Sequence, residues 1–191
     1  MQLAPPTLVP NRTCGECTAC CLHLPVDTPE FQKMPGKPCV HCVVKKGCKI
    51  HQTAPPICHE YFCAWRLSDM FDDGWRPDRS GILMTLIYAN IPIAYMQEGI
   101  EFLLIQPKVA LEHADFYRMV SQGVKNRVPL FIAWPGPAGH YSASVFLNTI
   151  LEAPVEQGDD GAFRGILGAL ATRLSEGPFN RVVLQNAKRP K

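Results

Sequence analysis

All nine cysteines of this 191-residue chain fall between Cys14 and Cys63, and residues 64–191 contain none. Cysteines serving only as small buried hydrophobes would scatter through a core, so confinement to one segment points to a shared chemical task. The same segment, residues 1–66, holds nine of the eighteen prolines and shows no sustained helical or strand periodicity. It is expected to be loop-rich and to bury little apolar surface of its own. Such a segment needs a staple, and a structural metal site supplies about 10 kcal/mol or more of folding free energy, enough to offset the ordering of a short irregular chain.

Compartment decides between disulfides and metal. The start, MQLAPPTLVPNRT, lacks the basic and apolar regions of a secretory signal, and no stretch reaches the roughly 18 apolar residues of a membrane span. The expectation is a cytoplasmic protein without a membrane partner, in which thiols stay reduced and clustered cysteines bind metal or do redox chemistry. The net charge is only +2, with seven Lys/Arg and four Asp/Glu in residues 1–66 against twelve and thirteen in 67–191. Neither part carries the field of a nucleic-acid-binding surface, so no nucleic-acid partner is expected.

The first motif is Cys14-Gly-Glu-Cys17-Thr-Ala-Cys20-Cys21. A Cys-x-x-Cys turn presents two sulfurs to one centre at about 2.3 Å and leaves the intervening amides free to bond them. Of the adjacent pair Cys20 and Cys21, one is expected to join the Cys14/Cys17 centre and the other to face a second centre or a bridging position. Cys39-Val-His-Cys42, Gly47-Cys48-Lys-Ile50-His51 and Cys58-His-Glu-Tyr-Phe-Cys63 follow. Eight thiolates suffice for two tetrahedral sites or for fewer metals in a polynuclear cluster, and spacing does not choose between them. His41 and His59 read as neighbours of such sites, His51 as a solvated or hydrogen-bonded histidine, and Asp72, Asp73 and Asp78 as a solvated turn. Tyr61, Phe62, Trp65, Trp75 and Trp134 read as packing between the two parts of the chain.

Together, Cys14-x-x-Cys17-x-x-Cys20-Cys21, Cys39, Gly47-Cys48-x-Ile50, Pro55-x-x-Cys58 and Cys63 resemble the eight-cysteine signature of the CxxCxxCC proteins, the YkgJ-like zinc- or iron-chelating domains of bacteria. The resemblance covers residues 11–66. It implies a metal set of Cys14, Cys17, Cys20, Cys21, Cys39, Cys48, Cys58 and Cys63, with zinc or iron, or an iron–sulfur cluster, as the cofactor. It implies almost nothing about a reaction; related motifs occur in a flagellin lysine methylase. The chain departs from the pattern at His51, where tyrosine is usual, and at Ala54, where an arginine commonly precedes Pro55. Loss of that arginine removes a fixed positive charge near the thiolates. Cys42 is an additional cysteine, read as a spare thiol because two four-ligand sites are already full.

After Cys63 the text changes character. Residues 67–79 read as a connection. Gly81–Tyr88, Ile91–Met96 and Glu101–Ile105 read as three strands of a short antiparallel meander, with Pro92 restricting its strand to an edge or bulge. Residues 108–122 have helical spacing with Gly123 as a stop, Val128–Trp134 and Ser142–Asn148 read as a further pair of strands, residues 160–174 as a second helix, and Arg181–Leu184 as a return to the sheet before a polar tail from Gln185. The expected fold is α+β: a loop-rich, metal-stabilised cysteine module over 1–66, then an α+β domain over 80–191 with a small mixed or antiparallel sheet and two helices.

Three functions fit these readings. The first is a cytoplasmic metal-binding protein that chelates zinc or iron through thiolates, with a protein or small-ligand partner for its C-terminal part. The second is an iron–sulfur enzyme, an oxidoreductase or a protein-modifying one, whose catalytic residues the sequence does not identify. The third is a zinc-ribbon-type adaptor, disfavoured by the small charge. The glycine-rich stretches match no phosphate-cradling fingerprint, so no nucleotide cofactor is expected.

Overall fold

The computed structural model describes residues 7–185. Residues 1–6, part of the stretch read for a secretory signal, and the tail after Gln185 lie outside it. The cysteine segment forms only short elements: α1 (Ala19–His23), the hairpin β1 (Val26–Asp27) and β2 (Gln32–Lys33), the hairpin β3 (Cys42–Val43) and β4 (Gly47–Cys48), α2 (Pro56–Glu60) and α3 (Ala64–Leu67). Gly47 makes this compactness possible. Its φ is +95°, and a Cβ there would stand 2.6 Å from the Gly15 carbonyl oxygen, so glycine alone lets the second hairpin meet the first Cys-x-x-Cys turn.

After α4 (Pro77–Ser80) come β5 (Ile82–Ile87), β6 (Gly99–Leu104), α5 (Pro107–Glu112), α6 (Ala114–Lys125), β7 (Leu130–Trp134), β8 (Ala143–Phe146), α7 (Asn148–Gln157) and α8 (Asp160–Ser175). One sheet of order β5-β6-β7-β8 results, parallel between β6 and β7 and antiparallel elsewhere, which gives an α+β fold. The parallel pair needs a crossover, and α5 with α6 provides it.

Three sequence expectations are corrected. Ile91–Met96 is no strand: Asn90 has φ +60°, the Tyr95 amide bonds the Pro92 carbonyl at 2.9 Å in a turn, and β5 pairs directly with β6 from Ile82↔Leu104 to Ile87↔Gly99. The helix over 108–122 breaks at His113 and then runs through Gly123, where a Cβ would meet Leu130 Cδ1 at 2.6 Å; this glycine serves close packing of α6 on β7 and stops nothing. Arg181–Leu184 contributes only an isolated bridge, His140↔Arg181.

Side chains of a strand alternate between faces. Ile82, Met84, Phe102, Leu104, Leu130 and Ile132 meet the helices, which present Phe116, Val120 and Val124 from α6, Leu151 and Val155 from α7, and Phe163, Leu167 and Ala171 from α8. The i, i+4, i+8 spacing on α6 and α8 makes each a single apolar stripe. Trp65, Phe71 and Trp75 join this core from the segment around β5. On the other face Leu83, Leu103 and Ala133 stand in one cross-strand row, and Ala19, Cys17, Cys63 and Leu24 pack on it. The cysteine-rich segment is thus a third layer, laid on the sheet face that the helices leave open. No helix among the described residues is long and apolar enough to cross a membrane.

Candidate metal centre

Position follows from that layering. The Cys14–Cys17 turn closes with the Cys17 amide on the Cys14 carbonyl at 2.8 Å, and α1 begins two residues later with Ala19 pressed on the sheet. Cys63 caps α3, whose Ala64 and Trp65 are buried in the main core. These two anchors bring Cys14, Cys17, Cys20 and Cys63 around one cavity of about 30 Å³, walled also by Tyr61 and Arg66. That space accommodates a water-sized body.

The other thiols gather beside it. Cys42 and Cys48 face each other across the β3–β4 hairpin, the Cys39 amide bonds the Cys21 carbonyl at 3.0 Å, and Cys58 lies within the fields of Cys21, Cys39 and Cys48. A run of side-chain hydrogen bonds from Thr18 through Cys42 and Cys21 to Cys20 connects the two groups. Cys42, the additional cysteine, lies beside Cys21 in this second group. All nine cysteines are free thiols, and only Cys58 is exposed.

Six of the thiols are held toward the protonated form. Burial pushes Cys14, Cys42, Cys58 and Cys63 upward and takes Cys17 to about 11, while the hydrogen bond to Cys20 and then burial raise Cys21. Amides of Ala19 and Asp78 at Cys17, and of Arg66 and Trp65 at Cys63, pull the other way, toward thiolate. Two cations stand in this surrounding. Arg66 lies over the Phe62 ring at 5.8 Å and acts on Cys14, yet its Nε and Nη1 are buried without a hydrogen-bond partner among the described residues. Lys33 is buried with its Nζ donating to the carbonyls of Leu22, Met34 and Lys37, and its field reaches Cys20, Cys21, Cys39 and Cys42.

The sequence reading missed Arg66 and Lys33; Asp78, read as solvated, is exposed and also engaged. That carboxylate is held by a two-pronged bond to Arg76, both contacts 2.7 Å, and it reaches Cys17. Burial works to raise its pKa, but the Arg76 bond and charge outweigh it and leave Asp78 below the usual range. His51 and His59 pair edge to face at 5.6 Å, and His41 faces Phe31.

Among the described residues no three His, Cys, Asp or Glu side chains converge as a ready-made coordination shell. The donor set nevertheless suits a thiophilic cation. Sulfur is the donor of zinc and iron sites, and the two buried, unpartnered guanidinium nitrogens of Arg66 beside four thiols would find a negative partner in thiolates. A larger groove lies elsewhere, between the Met70–Phe71 turn and the loop carrying Tyr88 and Met96, and is lined by no cysteine or histidine. No family model, no curated protein and no solved structure matches this chain.

Proposed function

We propose that this chain is a metal-binding protein that chelates zinc or iron through two groups of cysteine thiolates. The observation that carries this is the small cavity bordered by Cys14, Cys17, Cys20 and Cys63, with the unpartnered Nε and Nη1 of Arg66 in its wall. Those four cysteines would hold one ion; Cys21, Cys39, Cys48 and Cys58, with Cys42 beside them, would hold the other. The bound cation supplies a staple between short loops and, when it is iron, an electron-accepting centre. This agrees with what the resemblance to the CxxCxxCC proteins implies.

The chain's own residues set the terms of uptake. Thiols held protonated must release protons to bind, so uptake is favoured by rising pH. Amides at Cys17 and Cys63 and the Arg66 charge lower that barrier at the first group. Anaerobic purification, elemental analysis and a visible spectrum test the reading: about two equivalents of metal are expected, one per tetrahedral thiolate set. Iron with inorganic sulfide and broad visible absorption points instead to a cluster. Folded, metal-free protein recovered under chelator-free anaerobic conditions overturns the proposal.

A further inference from the structure

Two cationic side chains stand beside the thiols: Lys33 is buried, and Arg66 is partly buried with its Nε and Nη1 withdrawn from solvent. Arg66 lines the cavity of Cys14, Cys17, Cys20 and Cys63 and leaves two buried N–H-bearing nitrogens without a partner among the described residues. The Phe62 ring beneath it attracts the charge but accepts none of those hydrogen bonds. A permanent charge in that state is costly unless an anion faces it. Lys33 is 7% exposed; three carbonyls fix its ammonium in place but bring no net charge, and the acidic groups in its field are Cys20, Cys21, Cys39 and Cys42. Leu22, whose carbonyl takes one of these bonds, follows Cys21 directly and places Lys33 beside the second group, with Cys20 of the first group also in its field.

Metal changes the sign of these surroundings. Four thiolates around a divalent cation leave a net charge of about −2, which a buried site must neutralise. We propose that Arg66 and Lys33 are the counter-ions of two separate anionic thiolate–metal centres, Arg66 for Cys14, Cys17, Cys20 and Cys63, and Lys33 for the centre built on Cys21, Cys39, Cys48 and Cys58. The proposal rests on the metal-binding reading and adds to it: the centres are distinct, each has a dedicated cation, and each is weakened alone.

Full-length protein, stripped and reloaded anaerobically with Co(II), is titrated against a competing chelator while sulfur-to-cobalt charge-transfer absorption is followed. Wild-type protein is expected to load in two resolvable steps, which Cys63→Ser and Cys39→Ser assign by deleting one each. Arg66→Gln weakens the Cys63-dependent step by about 10- to 100-fold and the other by less than about threefold, and Lys33→Gln does the converse. The charge-retaining variants Arg66→Lys and Lys33→Arg keep most of the affinity. If Lys33→Gln does not fold, Lys33→Arg decides: retained affinity supports the counter-ion role, and a large loss shows that the carbonyl bonds alone matter. Uptake of no cobalt by wild-type protein overturns the metal reading itself. Two steps indifferent to Arg66 and Lys33, both steps falling together, or a single step requiring all eight thiols overturns the counter-ion proposal and leaves metal binding standing.

Discussion

The Tyr61 hydroxyl lies 3.1 Å from the Thr85 hydroxyl, joining the loop between Cys58 and Cys63 to the middle of β5. Thr85 alternates with Met84 and Leu86, so it points to the face that the cysteine layer covers, and the bond fastens that layer at its border. Burial holds the phenol above the usual tyrosine range, which keeps it neutral and able to donate. Tyr61→Phe is expected to cost about 1 kcal/mol. Thermal melts of Tyr61→Phe, Thr85→Val and the double variant check this: the double should lose no more than either single, and additive losses would show that the hydroxyls act independently.

Glu101 occupies central strand β6 between Thr85 and Phe131, with one hydrogen bond, from Ser144 Oγ at 2.8 Å, and no cation within ion-pair distance among the described residues. Burial raises its pKa above 4.5 against the opposing pull of Ser144. A raised carboxyl contributes stability that is fully present below its unfolded value and is lost as pH rises through the folded value. Glu101→Gln should therefore stabilise the protein at about pH 7 and make little difference at about pH 4. Urea denaturation at both pH values measures it; an equal gain at both contradicts the electrostatic account.

The apolar strands were legible because burial on both faces demands runs such as Ile82–Ile87 and Leu130–Trp134, and α8 because its stripe repeats at i, i+4, i+8. Ile91–Met96 misled because its composition is that of a strand while the turn at Asn90 and Pro92 forbids the ladder. Helix α7 escaped notice because Pro154 lies inside it; Asn148 anchors its start, donating to the Val128 carbonyl and accepting the Leu130 amide, both at 2.8 Å. At the site, the cysteines stand out by spacing, whereas the cations beside them do not. Arg66 lies three residues after Cys63 and Lys33 between Cys21 and Cys39, but no spacing rule marks either one, and only the folded α3 and the β1–β2 hairpin show them beside the thiols.

Arg12 illustrates the same non-local logic. Its guanidinium donates to the carbonyls of Trp65, Ser68 and Phe71 and stacks over the Trp65 ring at 5.2 Å, tying the chain before Cys14 to the segment after Cys63. A lysine cannot reproduce the planar fork, so Arg12→Lys should cost about 1–3 kcal/mol. Chemical denaturation of the two proteins tests it, and equal midpoints would rule out the clamp.

Metal removal should separate the layers of the fold. The helix-facing core around Met84, Phe102 and Ile132 contains many large apolar side chains and depends on no coordination, whereas α1 and the two cysteine-bearing turns touch the sheet mainly through Ala19, Cys17, Cys63 and Leu24. On chelation, hydrogen exchange should accelerate first at the amides of Cys17, Cys39 and Cys42, whose acceptors are the carbonyls of Cys14, Cys21 and Cys39. Amides of β6 and β7, the two interior strands, should stay protected, and Trp65 fluorescence should change with the first phase because α3 joins the two regions. A partial exposure of Leu83, Leu103 and Ala133 follows, and with it binding of an apolar dye to the uncovered sheet face. Simultaneous loss of protection in both regions at the same chelator exposure would instead make the cysteine layer and the sheet one cooperative unit.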